Sequence, residues 1–263
     1  MFKNRMRVEP TPERVYALCR LVARSPIPKN RLREMLEPNW IEKDPNNFPL
    51  TYSAARELEL ISEVDERVRL NVSADVFNSF ASYRRFTAQQ ALKDRESVFF
   101  RFTAWYLSQN DNYFYYTNVD ELAIRLGRDF DNDKVDDIAI RGWRFWASFF
   151  GIGVLHNLFL IPNMFVRLHD ALILDKDREN PFPRNVKVPF SMFVSWLKEN
   201  CPESVHNLDS HDLCLGLSSG LRMLHDRDMV QLIYNPDSAE KWNLYPMFTH
   251  EITKDVTDIL VKI

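Results

Sequence analysis

The stretch YSAARELELISEVDERVRL, residues 52–70, runs an apolar helix seam into a strand, a charged turn and a return strand. Residues 51–60 read as a helix. Ile61 to Val64 and Val68 to Leu70 are short strand signals around the polar turn Asp65-Glu66. Upstream, Thr11-Pro12-Glu13 opens a helix in the usual way, with proline in its first turn. Val15, Leu18, Cys19 and Val22 then recur at helical spacing, and Ser25-Pro26 stops the run. Pro28 starts a second short helix with Leu32, Met35 and Leu36 apolar. Residues 38–49 hold three prolines and read as a loop.

Three helices followed by a hairpin is the pattern of a winged helix, and residues 52–70 resemble the third helix and wing of bacterial winged-helix domains. The pattern recurs downstream. Residues 73–94 read as a connecting helix. A second unit follows, with helices over 97–108, up to Leu126 behind the capping signal at 117–121, and over 137–150. On the last helix Asp137, Arg141, Arg144 and Ser148 are expected to face outward, with Ile138, Phe145 and Phe149 inward. Strands at 153–155 and 158–161 flank His156-Asn157. Residues 210–226 read as a third-unit helix, with strands at 229–235 and 241–246 as its wing. The expected fold is mainly α with small hairpin wings, an α+β class of tandem winged-helix domains. The expected boundaries are 1–72, a connecting helix 73–96, 97–174, a charged linker 175–187, and 188–263 with a C-terminal tail.

Composition excludes several function classes. The chain has 263 residues and only 6 glycines, none before Gly127. Phosphate-cradling loops need clustered glycines after a strand, and Gly151-Ile152-Gly153 has no third. Nucleotide-loop chemistry is therefore set aside. A net charge of -3 argues against a bulk nucleic-acid coat. Residues 1–33 nevertheless carry nine Lys/Arg against two acids, either a phosphate-binding front or a solvated face. Cys19, Cys201 and Cys214 are scattered and odd in number, which points to a reducing, cytoplasmic setting. No apolar run precedes Val15, so no signal peptide is expected. Residues 145–166 lack Asp, Glu, Lys and Arg, but His156-Asn157, Pro162 and the glycines read as a soluble helix end and hairpin rather than a membrane span.

Candidate chemistry is sparse. Cys201, His206, His211 and Cys214 are dense enough to suggest zinc. They lack a knuckle pair, however, and Cys214 sits in an apolar run, so a buried thiol is the preferred reading and no metal is expected. Asp129, Asp131 and Asp133 start like a calcium loop, but Lys134 and Ile140 stand where glycine and glutamate are needed. No nucleophile constellation appears, so neither an enzyme nor a cofactor is expected. The candidate DNA contacts are Arg31, Arg33, Thr51, Tyr52, Ser53, Arg56, Arg141, Arg144 and Arg222.

GWRFWASFFGIGVLHNLFLIPN at 142–163, the stretch 218–246 and FTHEITK at 248–254 resemble the DpdG family over about residues 97–254. Such proteins are encoded in bacterial clusters that insert 7-deazaguanine bases into DNA and restrict unmodified DNA. The resemblance implies an accessory, non-catalytic part of an anti-phage restriction system, binding double-stranded DNA or partner subunits. Two alternatives stay open: a tandem winged-helix subunit of an SMC-type complex, dimeric and acidic, and a transcriptional regulator. A homodimer is a further expectation, and a membrane partner is not expected.

Overall fold

The computed structural model describes residues 1–3, 5–38, 40, 47–116, 118–130, 135–157, 159–205 and 210–263. It is an α+β fold of helices with small antiparallel sheets. The chain divides into two compact units: Met1–Arg101 with Asn118–Phe149, and Phe102–Thr117 with Phe150–Ile263. Residues 97–174, read above as one domain, are distributed over both.

In unit 1 the Thr11 side chain accepts from the Arg14 amide and caps α1 (Pro12–Val22). Val15, Leu18, Cys19 and Val22 are buried, as their spacing predicts. Then come β1 (Ile27–Pro28), α2 (Lys29–Leu36), α3 (Asn47–Glu57), β2 (Ile61–Val64) and β3 (Arg67–Leu70). α3 begins inside the stretch read as a loop, because Pro49 falls in its first turn, where no hydrogen bond is lost. Residues 39 and 41–46 of that stretch lie outside the described residues. The sheet order is β1-β3-β2, with Ile27 opposite Val68 and Val64 opposite Arg67. Asp65 and Glu66 both take positive φ, the backbone that lets a two-residue turn follow strand twist.

The connecting helix is broken. A 3-10 turn at Ala74–Phe77 is followed by α4 (Phe80–Leu92), which the Ser79 hydroxyl caps by accepting from the Ser82 amide. Next are α5 (Val98–Ser108), within which the unit boundary falls, α6 (Val119–Asp129) and α7 (Asp137–Phe149). The buried stripe of α7 is Ala139, Ile140, Trp143, Trp146 and Ala147. Ile138 is therefore exposed, against expectation, and Phe145 and Phe149 are half-buried. Gly142 sits on this stripe because a Cβ there would lie 2.2 Å from the Arg7 carbonyl oxygen. Phe2 packs edge-on against Phe99 and Trp146 at 5.1 and 5.0 Å.

The second segment of unit 2 opens at Phe150 and Gly151, whose φ of 76° ends the helical path. It continues through β4 (Gly153–His156), β5 (Phe159–Pro162), α8 (Phe165–Asp175), β6 (Lys187–Pro189), α9 (Phe190–Asn200), α10 (Leu215–Asp226), β7 (Val230–Ile233), β8 (Trp242–Asn243), β9 (Asp255–Val256) and β10 (Asp258–Val261). The expected wing is repartnered. β7 pairs with β10, β8 pairs with β9, and the main sheet runs β6-β10-β7. β10 wins because Ile259 and Val261 alternate into the core and offer four register partners, whereas β8 is two residues long. Residues 175–187, read as a linker, place Phe182 in the core against Phe193.

Buried charge distinguishes this unit. Arg167 donates to Glu203 Oε1 at 2.8 Å and to the Asn200 carbonyl at 2.7 Å. Asp175 accepts from the Phe182 amide, from Trp196 Nε1 and from Arg184. Burial by itself would lower the Arg167 pKa, but its carboxylate neighbours Glu203 and Asp170 favour the charged guanidinium, and the pKa lies above its ordinary value. Among the described residues no helix is long and apolar enough to cross a membrane.

Candidate nucleic-acid interface

α3 buries Phe48, Thr51, Tyr52, Ala54 and Ala55, a stripe at i, i+3, i+4 and i+7 with one flanking residue. The face left to solvent carries Ser53 and Arg56. The expectation of four outward residues therefore holds for Ser53 and Arg56 and not for Thr51 and Tyr52. The seam is rotated because Tyr52 turns toward the hairpin. Its hydroxyl donates to Glu63 Oε2 at 2.7 Å, and Lys29 Nζ lies 4.4 Å from its ring centre. Burial, and then the Glu63 carboxylate, push the Tyr52 phenol up to about 12. The Tyr52 hydrogen bond and Lys29 hold the Glu63 carboxyl below its ordinary range. Tyr52 thus fixes the hairpin against the helix rather than reaching outward.

On α2, Leu32 is buried and Arg31 and Arg33 flank it, exposed. On β3, Val68 points into the core while Arg67 and Arg69 are exposed. These two arginines are not among the contacts expected from the sequence, although the charged-apolar-charged alternation of 67–69 carries the signal. At the turn Asp65 and Glu66 are acidic. They line a cleft of about 470 Å³ with Lys29, Asn30, Glu63 and Arg67.

The other candidates are differently placed. Arg141 is half-exposed and pairs with Asp137 at 3.6 Å, one helical turn away. Arg144 lies over the Phe145 ring, its pKa lowered by burial and then by Arg141. In unit 2, Arg222 is only 2% exposed and donates to the Ile252 and Thr253 carbonyls at 2.9 and 2.8 Å. It pins the segment between β8 and β9 and is not presented to a duplex, contrary to expectation.

The cysteines are packing groups in their surroundings. Burial pushes the Cys201 thiol up to about 12 and the Cys214 thiol up to about 11. The His211 ring stacks on Trp242 at 4.3 Å. His206 lies outside the described residues, as do residues 131–134 of the acidic loop. Among the described residues, no three His, Cys, Asp or Glu gather in a way that could hold a metal ion. A cavity of about 450 Å³ in unit 2 is lined by Asp212, Cys214, Asn243, Tyr245 and Lys254, among others.

A family model described as DpdG-like matches residues 5–238. No curated protein and no solved structure matches the chain.

Proposed function

Because the chain belongs to the DpdG-like family, which ties it to a DNA-modification defence system, we propose that it serves there as a non-catalytic winged-helix accessory protein whose unit 1 docks on duplex DNA. The observation that carries this reading is the way α3 is turned. Its exposed residues are Pro49, Ser53 and Arg56, with Arg31 and Arg33 on α2 and Arg67 and Arg69 on the hairpin also exposed. Winged helices place the third helix in a groove and the hairpin along the backbone, and this set supplies both contacts. Connectivity supports the fold reading. Helix, strand, helix, helix, strand, strand, with the last strand central in the sheet, occurs as α1-β1-α2-α3-β2-β3 and again as α8-β6-α9-α10-β7-β10.

The test is duplex binding by the full chain, followed by fluorescence anisotropy across a salt series. Affinity is expected to fall with salt, and reversing Arg56, Arg67 and Arg69 together to Glu to weaken binding about tenfold or more and flatten the salt slope. Equal affinity of the variant at low salt would overturn the site. One feature favours docking to a protein subunit instead: the acidic tip at Asp65 and Glu66, which repels phosphate. On that reading Asp65→Lys with Glu66→Lys abolishes partner capture, whereas on the duplex reading it tightens DNA binding.

A further inference from the structure

Sheet edges expose unpaired amides and carbonyls, and folded chains usually block them with charge, proline or a capping group. Most edges here follow that rule. β1 ends in Pro28, β2 carries Glu63, and β6 carries Lys187 and Pro189. The outer strand β7 has no charge, but its Leu232 amide donates to His225 Nδ1 at 3.1 Å. β5 is covered by α10, and its Leu160 carbonyl accepts from the Tyr106 hydroxyl at 2.7 Å.

β4 is different. Among the described residues it pairs only with β5, and it contains Gly153, Val154, Leu155 and His156, with no charge and no proline. Val154 is 61% exposed and Leu155 37%. The register puts Val154 opposite Ile161 and His156 opposite Phe159, so these four share the hairpin face that does not hold buried Leu160.

We propose that β4 pairs with β4 of a second copy of this chain, antiparallel about a two-fold axis. The whole stretch 145–166 lacks Asp, Glu, Lys and Arg, so it offers a charged partner nothing to pair with and a second copy nothing to repel. An isologous strand pair is self-complementary in length and alternation. The contact is small, so the dissociation constant is expected on the order of tens of micromolar. This inference goes beyond the duplex reading and does not depend on it.

Sedimentation equilibrium of the full chain, from about 1 to 300 μM, tests it, with a monomer–dimer equilibrium expected in that range. Val154→Lys and Leu155→Lys, at solvent-exposed positions, are expected to weaken the dimer about tenfold or more. Val154→Cys is expected to give an oxidised dimer crosslinked through the two substituted positions, read by peptide mass spectrometry. A wild-type chain that stays monomeric throughout overturns the proposal. So does a Lys variant with native circular dichroism that dimerises as tightly as wild type.

Discussion

The two units that carry the helix-strand-helix-helix-strand-strand connectivity differ in how much charge they bury. In unit 1 most of the described ion pairs lie at the surface, such as Arg5 with Asp136 at 2.6 Å, Lys29 with Glu63 at 3.4 Å and Lys93 with Glu59 at 2.8 Å, and the exception is the Met1 amino group with Glu57. Unit 2 also has surface pairs, such as Lys262 with Asp228, but adds Arg167 with Glu203, buried on both sides, and Arg184 on the buried Asp175 carboxylate. The strand-to-strand connection differs too. In unit 1 it is the two residues Asp65 and Glu66. In unit 2 a long segment containing β8 and β9 lies between β7 and β10, and Arg222 holds it onto α10. The same framework therefore leaves its third helix open in one unit and covers it in the other. An arginine on the open helix is free to meet a ligand, and an arginine on the covered helix becomes a structural clamp.

The largest effect that would test this contrast is at Glu203. Glu203→Ala strands the Arg167 charge in the core and is expected to cost about 3–5 kcal/mol. Urea unfolding of the full chain, followed by tryptophan fluorescence, measures it. A loss below about 1 kcal/mol would mean that the buried pair is not what holds unit 2 together. Arg222→Met comes next, because it orphans the Ile252 and Thr253 carbonyls, and is expected to cost about 2 kcal/mol. Faster proteolysis within 247–254 should accompany it. Arg56→Glu, on the open helix, is expected to change stability by less than about 0.5 kcal/mol while weakening duplex binding. If Arg56 and Arg222 behaved alike in the melt, the open-versus-covered distinction would fail.

Another small effect is set by acid. Burial by itself would raise the Asp136 carboxyl, but the Ala139 amide and Arg5 more than offset it and hold the group below its ordinary range. A depressed native pKa contributes stability that is present above about pH 4 and lost as pH falls below it. Asp136→Asn should therefore narrow the gap between melting temperatures at neutral and acid pH, by the equivalent of less than about 1 kcal/mol for so exposed a pair. Calorimetry across that range would show an unchanged gap if the pair contributes nothing.

Much of unit 1 is legible in the chain because its signals are local. Thr11-Pro12, the helical spacing of Val15 to Val22 and the turn at Asp65-Glu66 each work within a few residues, and the structure places α1 and β2–β3 where they point. Unit 2 is less legible because its decisive pairing is not local. Residues 241–246 look like the partner of β7, being closest in sequence, yet β10, which starts 25 residues after β7 ends, takes that place. The site divides in the same way. Ser53 and Arg56 follow from helical period once the seam is known, but the seam itself depends on Tyr52 meeting Glu63. Nothing local in residues 218–226 says that Arg222 will be covered.

The sequence alone determined the α+β class, the element types, the shortage of glycine that excludes phosphate loops, and the uncharged run from 145 to 166. These depend on side-chain period and on the backbone freedom of single residues, which are properties of a short segment. The tertiary structure alone decided which arginines face solvent, which strand completes each sheet, and that among the described residues the outer edge of β4 has no strand partner and no blocking group. Those outcomes turn on which surfaces compete for burial, and that competition involves groups far apart in the chain.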